Sequence, residues 1–171
     1  MQPHPHLRPV TEADDGFLFE LYASTRAEEL AAWGLDAAQQ EAFLRMQWLA
    51  RKRDYEARFP DAAHHVVEVD GYPAGRLLVA RQAQEVRLVD IALLPRHRGT
   101  GVGTVLLRAL QEEAAATGRP LRLQVARDNP AARLYARLGF LPEEGSEADP
   151  NAPYLALEWS APDGGARGAT S

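Results

Sequence analysis

The densest chemical signal in this 171-residue chain is the run Leu94-Pro95-Arg96-His97-Arg98-Gly99-Thr100-Gly101-Val102-Gly103-Thr104. Glycines at alternate positions open backbone conformations closed to other residues and let the main chain come close to a ligand. If a helix begins at the end of this run, the free N–H groups of its first turn, Val102 to Thr104, can hold phosphate oxygens. A phosphate cradle and a plain structural turn both fit this spacing. No Lys-Ser/Thr pair follows the glycines, which removes the P-loop reading. No acidic ribose partner follows either, which weakens a dinucleotide-binding fold. Arg96, His97 and Arg98 add positive charge beside the loop, so a polyphosphate such as the pyrophosphate of coenzyme A is well matched to it.

The elements that position this loop follow from periodicity. Before it, Val86 to Leu94 is a near-continuous apolar run closed by Pro95, expected as a central strand covered on both faces. After it, Val102, Val105, Leu106, Ala109 and Leu110 recur at helical spacing between Thr100 and Thr117, and Gly118 stops the helix. Upstream, Leu7 to Val10 predicts a short strand. Thr11 and Asp14 then cap a helix ending near Thr25, with Phe17, Leu18, Leu21 and Tyr22 at helical spacing. A second capping box, Asp36 with Gln39, opens a long helix to about Phe59, and its Phe43, Leu44, Gln47, Trp48 and Tyr55 are read as packing residues. His65 to Val69, the Asp70-Gly71 turn and Ala74 to Ala80 form a hairpin.

Downstream, Leu121 to Val125 alternates like a strand, and Asn129-Pro130 starts a helix ending at Gly139. Phe140 onwards returns to the sheet, and Tyr154 to Trp159 is the last strand. Residues 1–160 are expected to form one domain and the Gly/Ala/Ser-rich residues 161–171 a disordered tail. There is no internal repeat.

Composition excludes several classes of function. The chain has 19 Lys+Arg against 24 Asp+Glu, a net charge of -5, which argues against a dedicated nucleic-acid binder. Zero cysteines exclude disulfides, thiolate metal sites and a cysteine nucleophile. His64 and His65 are adjacent and would point to opposite faces of a strand, so no metal centre is expected. Met1 to Pro9 lacks an apolar leader core, and no window reaches the ~18 apolar residues of a membrane span. A cytoplasmic protein is the expectation.

Two segments in order, Arg98-Gly99-Thr100-Gly101-Val102-Gly103 and Asn129-Pro-Ala-Ala-Arg-Leu-Tyr135-Ala-Arg-Leu-Gly139-Phe140, resemble the paired motifs of the GNAT superfamily of acyl-CoA-dependent N-acyltransferases. The similarity spans about residues 7–160. It implies an α/β (α+β) fold with a mixed, mainly antiparallel central sheet and helices on both faces. That sheet would splay after the central strand to admit the pantetheine arm of an acyl-CoA co-substrate. It also implies that backbone groups of Leu93 and its neighbours Ile91 and Leu94 orient the thioester, that the Arg96–Thr104 loop holds the phosphates, and that Asn129 lies near the pantetheine.

The implied reaction is direct transfer of an acetyl group from acetyl-CoA to a primary amine of a small molecule or peptide. Coenzyme A leaves more easily if its sulfur is protonated, and in the resembling family the tyrosine equivalent to Tyr135 commonly supplies that proton. The base is less defined. Some relatives place a Glu where Gln124 stands, and an amide cannot accept a proton. Asp90, inside an otherwise apolar strand, is the first carboxylate to consider, Glu85 the second, and water the third. Asp90 can equally be a structural carboxylate bonded to backbone or arginine. Acceptor recognition is expected in the segment from Tyr22 to Asp36, where Glu28 and Glu29 can attract a cationic amine or simply be solvated. Tyr154, near the last strand, can face the same cleft. A non-catalytic acyl-CoA-binding domain is the alternative function. A homodimer through an open edge at Tyr154 to Trp159 is a further expectation, as the last strands commonly pair in the family.

Overall fold

The computed structural model describes residues 3–146 and 149–162. In chain order the elements are β1 (His6–Pro9), α1 (Asp15–Ala31), α2 (Ala37–Arg58), β2 (Ala63–Val69), β3 (Tyr72–Arg81), β4 (Val86–Leu93), α3 (Val102–Thr117), β5 (Leu121–Ala126), α4 (Ala131–Arg137), β6 (Leu141–Pro142) and β7 (Tyr154–Trp159). The strands are ordered β1-β2-β3-β4-β5-β7-β6. The pairs β1–β2, β5–β7 and β6–β7 are antiparallel, and β4–β5 is parallel. This is the mixed, mostly antiparallel sheet that the sequence implies. Most of the expected tail, residues 163–171, lies outside the described residues. Among the described residues no helix is long and apolar enough to cross a membrane.

Among the described residues two compact units emerge from the packing: residues 3–78 with 90–103, and residues 79–89 with 104–146 and 149–162. In the first, Arg8 of β1 bonds Asp14 through both terminal nitrogens, at 2.9 and 2.8 Å, and Glu68 of β2 through Nε at 3.0 Å. The Thr11 amide donates to the Asp14 carboxylate at 2.8 Å, and the Asp14 amide to the Thr11 carbonyl at 3.0 Å. These contacts close a 3-10 turn, Glu12–Asp14, ahead of α1. The helix runs past Thr25 to Ala31, and within it the hydroxyls of Ser24 and Thr25 bond back to the carbonyls of Leu21 and Tyr22, both at 2.7 Å.

The box at the start of α2 forms as expected. The Gln39 amide donates to Asp36 Oδ1 at 2.8 Å, and the Asp36 amide to Gln39 Oε1 at 3.0 Å. Of the residues assigned to packing in α2, only Leu44 is buried. Phe43, Trp48 and Tyr55 are half-buried and pair with rings or cations instead: Trp48 meets Phe19 edge-on at 5.7 Å, and Trp33 meets Phe43 at 5.3 Å. The β2–β3 link is a two-residue turn in which Asp70 (φ 54°) and Gly71 (φ 83°) are both left-handed, the geometry that matches strand twist.

In the second unit, the described β4–β5 register pairs Val86–Leu88 with Leu121–Leu123. For β4, whose Asp90 to Leu93 belong to the first unit, the expectation of a strand covered on both faces fails in part. Val86 and Leu88 are buried, whereas Val89 to Leu93 are only half-buried. The buried stripe of α3 takes in Leu106, Leu107, Leu110 and Ala114, while Ala109 is exposed, so the stripe is turned towards Leu107 from the one expected. The expected open edge at β7 is largely closed. One side of this strand pairs with β5 along its whole length. On the other side lie β6, the Glu143 amide on the Ala156 carbonyl at 2.9 Å, and the Ser146 hydroxyl, which accepts from the Ala156 amide at 2.9 Å.

Candidate active site

In the first unit, β4 ends at Leu93 and a 3-10 turn, Pro95–His97, leads into the glycine loop. The Leu94 amide donates to the Ala74 carbonyl of β3 at 2.8 Å, and the Leu94 carbonyl accepts from His97 at 2.9 Å. Both backbone groups of Leu94 are therefore engaged within the protein. Because successive residues of a strand aim their amides to opposite sides, the Leu93 amide and carbonyl point away from β3. Gly75 makes this arrangement fit. A Cβ at position 75 would lie 2.2 Å from the Ala92 carbonyl oxygen and 3.1 Å from the Leu93 Cα, so only glycine lets β3 approach so closely. A lone glycine inside an apolar strand is the local sign of such an approach.

Gly99 (φ 71°) and Gly101 (φ 95°) occupy the left-handed region as the loop turns into α3. Gly103 already lies inside the helix, so only two of the three glycines are required by their backbone conformation. Among the described residues, the amides of Gly99 and Gly101 make no turn hydrogen bond to a backbone carbonyl, while the turn at Arg98 and Gly99 closes on Thr100. Those of Val102, Gly103 and Thr104 have no partner within the helix by geometry. The Thr100 hydroxyl bonds the His97 carbonyl at 2.6 Å and fastens the turn. Consecutive free amides at a helix N-terminus fit a pyrophosphate. Arg96 is exposed beside them. Arg98 folds back: its Nε donates to the Leu93 carbonyl at 3.0 Å and its Nη2 reaches Ser24 of α1 at 3.5 Å.

Asp90 lies on β4, three residues before Leu93, and is ion-paired with Arg76 of β3 through Nε at 2.7 Å and Nη2 at 2.5 Å. This is the structural-carboxylate arrangement. The same neighbourhood holds His64, whose buried Nε2 has no hydrogen-bond partner among the described residues. Burial first, then the charge of Arg76, pushes this imidazole down to about 4, so His64 is neutral at pH 7. Tyr55 is raised by burial and by the Asp90 charge. The Tyr22–Asp36 segment is mostly helix, because α1 runs to Ala31. Glu28 is exposed there, and Glu29 pairs with Arg26 at 2.7 Å.

In the second unit, Asn129 Oδ1 accepts from the Ala131 amide at 2.9 Å, so Asn129 caps α4. Tyr135 of α4 is 6% exposed and meets Phe140 edge-on at 5.5 Å. Gly139 (φ 91°) ends the helix, and Gln111 Nε2 donates to the Leu138 carbonyl at 2.8 Å. Glu85 bonds Arg87 at 2.6 Å and Arg122 at 3.0 Å. Burial works against its ionisation, but these two arginines outweigh it and hold the carboxyl below its ordinary range. Gln124 and Tyr154 are exposed.

Comparison with known proteins agrees with this architecture. Residues 20–140 match the model of the Acetyltransferase (GNAT) family. A mycothiol acetyltransferase of Nocardia farcinica is 39% identical over 84 residues, covering 47% of this chain and 27% of that protein. A streptothricin acetyltransferase of Streptomyces lavendulae is 41% identical over 78 residues, covering 43% and 41%. The chain thus matches less than half the length of either relative. Among solved structures, the PaiA N-acetyltransferase of Thermoplasma acidophilum in complex with coenzyme A shares the fold with a TM-score of 0.65, 18% identity and coverage of 92% and 99%. A GCN5-related N-acetyltransferase of Rhodopseudomonas palustris gives 0.62, 23% identity and coverage of 94% and 98%. The chain belongs to the GNAT family of acetyltransferases.

Proposed function

We propose that the chain transfers an acetyl group from acetyl-CoA to a primary amine without a covalent enzyme intermediate. The observation that carries this reading is the left-handed turn at Gly99 and Gly101 that leads, directly after the strand ending at Leu93, into the first turn of α3, whose amides have no partner within the helix. These amides would hold the pyrophosphate, with Arg96 beside them. The Leu93 amide and carbonyl would bind the pantetheine arm, which requires Arg98 to release that carbonyl. Bound acetyl-CoA supplies the activated thioester carbonyl that the amine attacks. Tyr135 would donate its phenolic proton to the departing sulfur. Asn129 is assigned to shaping the α4 entry, given its capping bond.

The proton released by the amine needs a destination. Glu85 is held low by Arg87 and Arg122, which suits it poorly to take a proton. Asp90 uses Oδ2 for Arg76, so Oδ1 is the atom assigned to the task, directly or through water. The ion pairing of both carboxylates also favours a second reading, a non-catalytic acyl-CoA-binding domain. Release of free thiol from acetyl-CoA across a panel of amines separates the two: the enzyme shows acceptor-dependent release and the binding domain none. Tyr135→Phe keeps the ring that packs on Phe140 and should lower kcat by about 10²–10⁴-fold, with acetyl-CoA affinity little changed. Lost affinity with an intact rate would overturn the role given to Tyr135.

A further inference from the structure

Glu28 and Glu29 point to a cationic amine as acceptor, yet three guanidiniums, Arg26, Arg51 and Arg76, gather at the Tyr22 and Tyr55 side chains in the first unit. Arg51 of α2 sits over two tyrosine rings, 5.6 Å from the centroid of Tyr22 and 5.3 Å from that of Tyr55, and donates to the Tyr55 hydroxyl. Arg26 of α1 donates to the Tyr22 hydroxyl at 3.0 Å and to Gln47 Oε1. Arg76 lies 5.6 Å from the Tyr55 ring. Arg26 and Arg76 each have a carboxylate partner, Glu29 and Asp90. Among the described residues Arg51 is in no ion pair, and it keeps an exposed face.

This cluster is tied to the end of β4 from two directions. Arg98 joins the Leu93 carbonyl to Ser24, on the turn of α1 that also carries Tyr22 and Arg26. Asp90, which pairs with Arg76, is three residues before Leu93 and so roughly 10 Å away along the strand. Through these links Arg51, with its two tyrosines, and the Leu93 end of β4 belong to one bonded network of the first unit.

The geometry points to an acceptor amine that also carries a carboxylate, with Arg51 as the residue that binds that carboxylate. A planar guanidinium held against two rings keeps its outer edge for a bidentate bond to a planar monoanion. Its single uncompensated charge matches a carboxylate better than a phosphate monoester of charge near -2. The assignment rests on the acetyltransferase reading, because it places Arg51 in that reaction's acceptor site.

Product binding tests the assignment apart from turnover. Protein saturated with coenzyme A would be titrated calorimetrically with N-acetylglycine, N-acetylalanine, N-acetylleucine and N-acetyllysine, and with the N-methylamide of each. At least one acid should bind at least about tenfold more tightly than its amide, as expected for a hydrogen-bonded charge pair. Arg51→Gln should bring that acid down to its amide, and Arg51→Lys, which keeps charge without the fork, should fall between. Each variant would be checked for an unchanged melting temperature, since Arg51 is exposed. Equal binding of every acid and amide, or a preference that survives Arg51→Gln, would overturn the assignment. Thiol release run in parallel bears on the acetyltransferase reading alone: acid-selective binding without release by any amine would count against catalysis and leave the carboxylate site standing.

Discussion

Replacing Gly75 with alanine tests whether close approach of β3 to β4 sets the geometry of the co-substrate strand. The added Cβ would sit 2.2 Å from the Ala92 carbonyl oxygen and 2.7 Å from Leu93 Cδ2. A carbon and a carbonyl oxygen rest no closer than about 3.3 Å, so the strands must part by roughly 1 Å. Overpacking of this kind costs about 1–3 kcal/mol. Stretching the neighbouring bond from the Leu94 amide to the Ala74 carbonyl adds about 1 kcal/mol. A total of about 2–4 kcal/mol corresponds to a melting temperature lower by roughly 5–15 °C for a chain of this size. Gly16 provides the contrast. A Cβ there meets nothing within 4 Å in the first turn of α1, so Gly16→Ala should leave the melting temperature unchanged or higher. Urea and thermal unfolding of both variants would be followed by circular dichroism, and acetyl-CoA affinity measured well below the midpoint. Gly75→Ala should bind acetyl-CoA more weakly because the Leu93 backbone is displaced. Wild-type stability and affinity in Gly75→Ala would refute the reasoning.

Two further substitutions probe the first unit. Asp36→Ala removes the acceptor that caps α2 and should lower stability by about 1 kcal/mol, read as a shift in the urea midpoint, while Asp36→Asn should recover most of it. Asp14 is held at about 2, below its ordinary 3.8, first by the Arg8 hydrogen bonds and then by the Thr11 amide. A depressed carboxyl contributes stability in full above its ordinary range and loses it as pH falls through the folded value. Asp14→Asn should therefore be less stable than wild type at pH 7, and the gap in urea midpoint should close between about pH 4 and pH 2; a gap independent of pH would contradict the pairing.

The order and type of the elements were legible because each rests on local chemistry: the Asp36/Gln39 box, the Asp70-Gly71 turn, the Pro95 stop and the glycine that closes α4. The end of α1 lies at Ala31 rather than near Thr25, and the Ser24 and Thr25 hydroxyls bond back within the helix. The left-handed turn at Gly99 and Gly101 lies on consecutive residues and was legible as a glycine loop between strand and helix. Gly75, the Arg76 pair with Asp90, the Leu94 amide on Ala74 and the placement of Arg51 over Tyr22 all depend on strand register or helix docking across many residues. No periodicity in one sequence reports such contacts, which join residues far apart in the chain.

The most direct measurement is a calorimetric titration of the folded protein with acetyl-CoA, set beside Gly101→Glu. Position 101 has φ 95°, so a glutamate there is strained and brings negative charge to amides that should hold phosphate. Wild-type protein should bind acetyl-CoA saturably, and Gly101→Glu, shown to be folded by its circular dichroism, should not. Equal binding by the variant would contradict the phosphate assignment, and no binding by folded wild type would leave the glycine loop as a turn and remove the support for acetyl transfer.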